Sequence, residues 1–135
     1  MGPRMIRLEN WPSLLAEFIE SRREMPFLWG TSDCCLFAAD AVQAITGTDF
    51  AAQWRGTYGD ARGALAHIEA AGGVPALVPF AEIEPGYAQR GDVVMLDMDG
   101  RDVLAVHLGN VIAGQGPEGV TFVPNNAAIK AWRTA

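Results

Sequence analysis

The sequence carries no excess of positive charge. Ten Lys and Arg stand against sixteen Asp and Glu, a formal net charge of −6, whereas a nucleic-acid surface needs clustered cations to neutralise phosphates. That partner class is excluded, and acidity alone selects no other. No apolar run approaches the roughly 20 residues of a membrane span, and the arginine-bearing residues 1–10 have no apolar stretch of signal length. A soluble protein with no membrane span is expected. Cysteine is scarce, with two in 135 residues, adjacent at Cys34 and Cys35. Bridging neighbours needs a strained ring, so no disulfide framework is expected and the setting at synthesis is a reducing cytoplasm. Histidine is equally scarce, at His67 and His107, and two Cys with two His lack the paired spacing of a structural zinc module. Repeats, low-complexity tracts and long linkers are missing. One domain over residues 1–135 follows, half of it hydrophobic and with four tryptophans to fill a core.

What is present reads as helices first and strands second. Asn10 can cap a helix carrying Trp11, Leu14, Leu15, Phe18 and Ile19, with Pro12 tolerated in its first turn and an end before Pro26. Cys34, Phe37, Ala38, Ala41, Val42 and Ile45 repeat at helical spacing, with Ser32 or Asp33 as cap and Gly47 as terminator. A third helix runs from an Asp60 cap through Leu65 and Ile68 to Gly72-Gly73. From Gly91 onward the apolar runs shorten and become β-branched, over 93–96, 103–108, 111–113 and 120–123, punctuated by Asp99-Gly100, Gly109-Asn110 and the glycines of 116–119. The expectation is an α+β domain with N-terminal helices packed on a C-terminal antiparallel sheet. Residues 48–60 and 74–90 read as loops, where binding residues tend to collect.

The chemistry-bearing stretch is Asp33-Cys34-Cys35, which follows the turn Phe27-Leu28-Trp29-Gly30. A thiol at a helix N-terminus meets unpaired backbone N–H groups and the positive end of the helix dipole, both of which favour thiolate. Free cysteines also serve simply as small core hydrophobes. Other features have structural explanations. His67, about 200° around its helix from Leu65, reads as a solvent-facing or boundary residue. Asp92, Asp97, Asp99 and Asp102 do not share a ligand-like spacing around a glycine hinge and read as solvated strand ends. The glycines of 114–119 have no lysine and no following helix, so they form a hairpin loop rather than a phosphate cradle. Trp29, Trp54, Tyr58 and Phe80 either line a groove near the thiol or pack the core.

The order of a Trp-Gly turn, Asp33-Cys34 opening a helix, Gly91-Asp92-Val93-Val94 opening a strand, and a hairpin bearing His107-Leu108-Gly109-Asn110 resembles the NlpC-type branch of papain-like cysteine peptidases over residues 26–124. Within that branch it is most similar to the divergent NlpC-like proteins of phage tail and gene-transfer-agent modules, which also tend to end in a Trp-Arg like Trp132-Arg133. The resemblance implies a papain-like fold with Cys34 as nucleophile; Cys35 takes a slot where the family usually has a small residue such as serine. His107 lies in the hairpin where the family carries its acid/base, and strand alternation puts it with Val103 and Ala105, opposite Leu104 and Val106. The family's base usually lies six residues before the hairpin glycine, which here lands on Val103, so His107 sits roughly 13 Å further along at about 3.3 Å per residue. Either this hairpin is built differently and His107 reaches Cys34, or the base has been lost. Gln115 is the polar candidate for the third member of the site. A two-residue turn at Gly109-Asn110 pairs His107 with Ile112 and sends Gln115 to the face opposite His107, unless a bulge intervenes.

Two functions follow from the resemblance. One is a cysteine peptidase or amidase acting on peptidoglycan stem peptides, with catalytic residues Cys34 and His107, an oxyanion held by backbone N–H groups near the helix start, and no cofactor or metal. The other is a catalytically inactive NlpC-like structural or assembly protein of a phage tail or gene-transfer particle. Partners are accordingly a peptidoglycan peptide or phage tail proteins, and the location is the cytoplasm at synthesis and then the virion or tail.

Overall fold

Helix placement follows capping chemistry. In the computed structural model, which describes residues 6–135, α1 spans Trp11–Ser21, α2 Cys34–Thr46 and α3 Ala61–Ala71. The first five residues of the expected domain and of the N-terminal stretch lie outside the described residues. Asp33 caps α2 by accepting from Leu36 N at 3.0 Å, and Gly47 ends it at φ +81°. Asp60 caps α3 through Gly63 N at 2.7 Å, and Gly72 ends it at φ +103°. Glycine reaches these left-handed values without the Cβ clash that penalises other residues. At α1 the expected cap is only a backbone one. Asn10 makes no side-chain cap bond, and its carbonyl accepts from Leu14 N at 3.1 Å.

Six strands form one antiparallel sheet. They are β1 Glu82–Ile83, β2 Val93–Met98, β3 Arg101–His107, β4 Ile112–Gln115, β5 Val120–Val123 and β6 Lys130–Trp132, in the spatial order β1-β6-β2-β3-β4-β5. The Asp99-Gly100 turn closes the β2–β3 hairpin at Met98↔Arg101, and both turn residues take positive φ, +56° and +83°, as a two-residue turn that follows strand twist requires. β1 and β6 were not expected. Both are very short, and each has an apolar pattern too brief for period two to register.

The two sheet faces are built differently. Val93, Met95, Leu104 and Trp132 pack against Cys35, Ala38, Ala39 and Val42, while Val106 and Ala113 meet Phe37, Ala41 and Ile45 together with Leu15 and Ile19 of α1. Helix α2 is thus enclosed on most sides, with Cys35, Leu36 and Phe37 buried as well as the expected stripe. Phe37 is fully buried with its ring centroid 5.2 Å from that of Phe18, and burying a side chain of that size contributes about 1.5–3 kcal/mol. On the opposite face Val94, Leu96, Ala105, Ile112 and Ala131 form a second layer, closed by Ile83, Ala88, Ala127 and Ala128 from the connecting turns. The described residues therefore form a small α+β domain of three α-helices and a six-stranded antiparallel sheet.

Candidate functional site

The start of α2 is anchored by one buried carboxylate. Asp33 is 2% exposed. One of its oxygens accepts from Leu36 N, and the other accepts from Gly30 N at 2.9 Å and from the Tyr58 hydroxyl at 2.7 Å. Three neutral donors offset the cost of desolvating the charge without a cation. Gly30, at φ +76°, passes so close to the Tyr58 carbonyl that a Cβ there would overlap it. Ser32 Oγ donates to the Pro26 carbonyl at 2.7 Å, which locks the aromatic turn onto the helix start. Burial and the bond to Asp33 hold the Tyr58 phenol well above its ordinary range, so it remains a donor.

Cys34 is the first residue of the helix and is half-buried, whereas Cys35 is 4% exposed and belongs to the core. The expected stripe therefore ends half-exposed at Cys34, while Cys35 packs inside. A hydrogen bond from the Cys35 thiol lowers the Cys34 pKa, helped by the Leu104 and Cys35 backbone N–H groups, against the opposing effects of burial and of Asp33. The Cys35 thiol, as the donor and as a buried group, is pushed well up. Leu104 N–H faces the sulfur because the β3–β4 ladder stops at Val106↔Ala113, leaving β3 with an unpaired edge beyond that point.

Cys34 opens onto a groove of about 930 Å³. Its walls are the Phe27 to Trp29 turn, the Ala61, Ala64, Leu65 and Ile68 face of α3, Val103 and Leu104 of β3, and the Gln115 to Pro117 turn, with Asp99, Arg101 and Asp102 at the hairpin end. Phe27 and Trp29 meet edge-to-face at 4.6 Å. Val103, where the family register would put the base, stands at the rim of this groove with its side chain packed against the Val94, Leu96 and Ala105 layer.

His107 is elsewhere. It is 5% exposed and pairs with Ile112, which belongs to the layer on the side of the sheet away from α2. Alternation along β3 places it with Ala105 rather than with Leu104 and Val106, which touch the helices. Its Nδ1 accepts from Gly109 N at 3.0 Å, while its backbone is clamped by His107 N to the Asp92 carbonyl at 2.9 Å and Gly91 N to the His107 carbonyl at 2.7 Å. Burial lowers its pKa, and the nearby Asp92 only partly opposes this. The structure does not bring His107 to Cys34: three positions of strand and the sheet itself separate the imidazole from Leu104, which faces the sulfur.

The parity argument for Gln115 holds. The pairs His107↔Ile112 and Gln115↔Val120 put it on the face opposite His107, and that face is the one Cys34 shares. No bulge is needed. The amide is nonetheless committed to structure, with Nε2 donating to the Met25 and Gly116 carbonyls at 2.9 Å each. His67 is a boundary residue, and its ring lies 5.2 Å from that of Trp54 and stacks on Tyr58 at 6.2 Å. Among the described residues no group of three or more His, Cys, Asp or Glu side chains converges as a metal site would require.

Asp92 corrects the reading of that residue as a solvated strand end. It is fully buried, paired with Arg7 at 2.9 Å and Arg133 at 3.6 Å, and accepts from Gln89 N and Thr134 N. Only its place just ahead of a buried strand, in Gly91-Asp92-Val93, hinted at this role.

A family model described as a domain of unknown function (DUF6950) matches residues 6–134. No curated protein and no solved structure matches the chain.

Proposed function

The chain belongs to the DUF6950 family, and we propose that it is an NlpC-like, papain-type scaffold that has kept the nucleophile position and groove but lost the acid/base, and that it works as a non-catalytic structural or assembly module of a phage tail or gene-transfer particle. One observation carries this reading. His107 stands three residues along β3 from Leu104, whose N–H faces the Cys34 sulfur, roughly 10 Å at about 3.3 Å per residue, so it does not protonate the amine expelled from a peptide bond. Thiolate character at Cys34 comes from thiol and backbone donors rather than from an imidazolium. The particle context rests on the sequence resemblance, and the groove is the surface a peptide partner would occupy.

Two measurements test the proposal. Iodoacetamide at pH 6 should label Cys34 at the same rate in the wild type and in His107→Ala, because no ion pair links them. A zymogram on purified cell wall should show no clearing by either the wild type or Cys34→Ala. Clearing by the wild type that disappears in Cys34→Ala would restore the peptidase acting on peptidoglycan stem peptides and overturn the non-catalytic reading.

A further inference from the structure

The sheet ends in two edge strands, and the chain guards only one of them. β1, at one end of the order β1-β6-β2-β3-β4-β5, is two residues long, carries Glu82 paired with Lys130 at 3.3 Å, and is followed by Pro85. Shortness, charge and proline all keep a strand edge from pairing with another chain. β5, at the other end, is twice as long and has neither charge nor proline within Val120–Val123, and its Phe122 is 49% exposed. The bond from Gly116 N to the Gly119 carbonyl, 2.7 Å, makes those two residues a hydrogen-bonded pair, and bonded and non-bonded pairs alternate along an antiparallel ladder. Gly114↔Thr121 and Ile112↔Val123 are therefore bonded, whereas Gln115↔Val120 and Ala113↔Phe122 turn their N–H and C=O groups away from each other. The outer edge presents the donors and acceptors of Val120 and Phe122, and no backbone group of the described residues bonds to them.

We propose that this edge is a homodimer interface, in which β5 pairs antiparallel with β5 of a second copy about a two-fold axis at Thr121 and joins two sheets into one. The edge is complementary to itself, as a two-fold contact requires. Val120 exchanges both backbone bonds with Phe122 of the other copy, and Thr121 stands opposite its own equivalent. The cross-strand pairs are then aromatic on β-branched and threonine on threonine, both favourable. Pro124 limits the register, because it has no N–H and a shift that brought it opposite Val120 would lose a bond. Charge also selects a second copy at this place. A net charge of −6 sets most of the surface against a copy of itself, but residues 119–129 contain no charged side chain. An edge of this length makes a small interface, at the weak end of specific association, so the dimer forms at high protein concentration.

Thr121→Cys, made in a Cys34→Ser background of the full chain, tests the axis. Opposed Cα atoms of a non-hydrogen-bonded pair lie about 4.5 Å apart, within the roughly 4.4–6.8 Å that a disulfide spans, so oxidised glutathione should convert most of a millimolar sample into a covalent dimer. Glu118→Cys is also exposed but lies six positions along the paired strands from its own equivalent, roughly 20 Å at about 3.3 Å per residue, and should stay monomeric. Phe122→Pro removes an outward N–H and the aromatic pair while leaving the bonds of Thr121 and Val123 to β4 in place. Added to Thr121→Cys and checked for folding by circular dichroism, it should abolish the cross-link. Sedimentation velocity on the wild type should show the mass rising toward that of a dimer from micromolar to millimolar protein. Thr121→Lys, which sets two cations opposite each other across the axis, should hold the chain monomeric. Equal cross-linking at positions 121 and 118, a cross-link that survives Phe122→Pro, a wild type that is monomeric at millimolar concentration, or a mass rise untouched by Thr121→Lys would each overturn the proposal. The cell-wall assay reads amide cleavage and fails or succeeds independently.

Discussion

Two fully buried aspartates organise opposite ends of this domain, and they are satisfied in different ways. Asp33 holds its charge with three neutral donors, Gly30 N, Leu36 N and the Tyr58 hydroxyl. Asp92 holds its charge with two arginines and two backbone N–H groups, and so ties Arg7 near the N-terminus and Arg133 and Thr134 near the C-terminus to the start of β2. Arg7 also lies 4.4 Å over the Trp11 ring and donates to the Thr134 and Arg90 carbonyls. The Asp33 end is thus a local device that shapes one helix start and one groove, whereas the Asp92 end is a long-range clasp. The Cys34 thiol sits beside the first and the His107 imidazole beside the second, and this is why two residues that sequence order joins into one site are held apart.

The clasp should be the more costly to break. Asp92→Ala leaves the half-buried Arg7 without its ion-pair partner, and removing one member of a buried pair costs about 3–5 kcal/mol. Urea denaturation followed by tryptophan fluorescence should show that loss together with earlier fraying of residues near both termini. Asp33→Ala should cost less, about 2–3 kcal/mol, from one helix cap and two further hydrogen bonds. Equal losses at the two positions would dissolve the distinction between clasp and cap. Asp33→Asn sharpens it further: because Asp33 raises the Cys34 pKa, the amide should speed iodoacetamide labelling of Cys34 at pH 6–7, an effect that Asp92→Asn should lack.

Tyr58→Phe isolates one strand of this argument. It removes the 2.7 Å bond to Asp33 and keeps the aromatic body beside His67, so a loss of about 1–2 kcal/mol is expected from one hydrogen bond to a charged acceptor. An unchanged denaturation midpoint would mean that water replaces the phenol, and that Asp33 is less sealed than its burial indicates.

Capping and turn chemistry were readable in the sequence because they are local. Asp33, Gly47, Asp60, Gly72 and the Asp99-Gly100 turn act on residues within a few positions of themselves, and the structure uses each of them as expected. Parity along β3 and β4 was equally readable, and it correctly set His107 and Gln115 on opposite faces. What alternation could not supply was which face the helices would cover. That depends on the packing of Leu104 and Val106 against α2, a contact between residues about seventy positions apart. Asp92 was misread for the same reason: its partners Arg7 and Arg133 are distant in sequence, and nothing beside it announces them. The half-exposure of Cys34 is a smaller case. Periodicity assigns a stripe, but the first turn of a helix has no preceding turn to cover it, so the stripe's first member is left at the groove.

The smallest effect is at His107, and its sign separates a buried structural imidazole from a catalytic one. Burial lowers the folded-state pKa below the unfolded value of 6.5, so between those two values the unfolded chain binds more protons and stability rises with pH. The contribution of neutral His107 is complete above the unfolded value and is lost as pH falls through the folded one. Thermal midpoints should therefore decline from pH 7.5 toward pH 5 more steeply in the wild type than in His107→Gln, which keeps an oxygen acceptor for Gly109 N–H. Comparing the two curves cancels the carboxylates that both proteins share. An imidazole paired with a thiolate would have its pKa raised instead, and the wild type would then gain stability relative to the variant on acidification across the same range. Parallel curves would mean that the ring exchanges protons as freely as in the unfolded chain, which its 5% exposure and its bond to Gly109 N argue against.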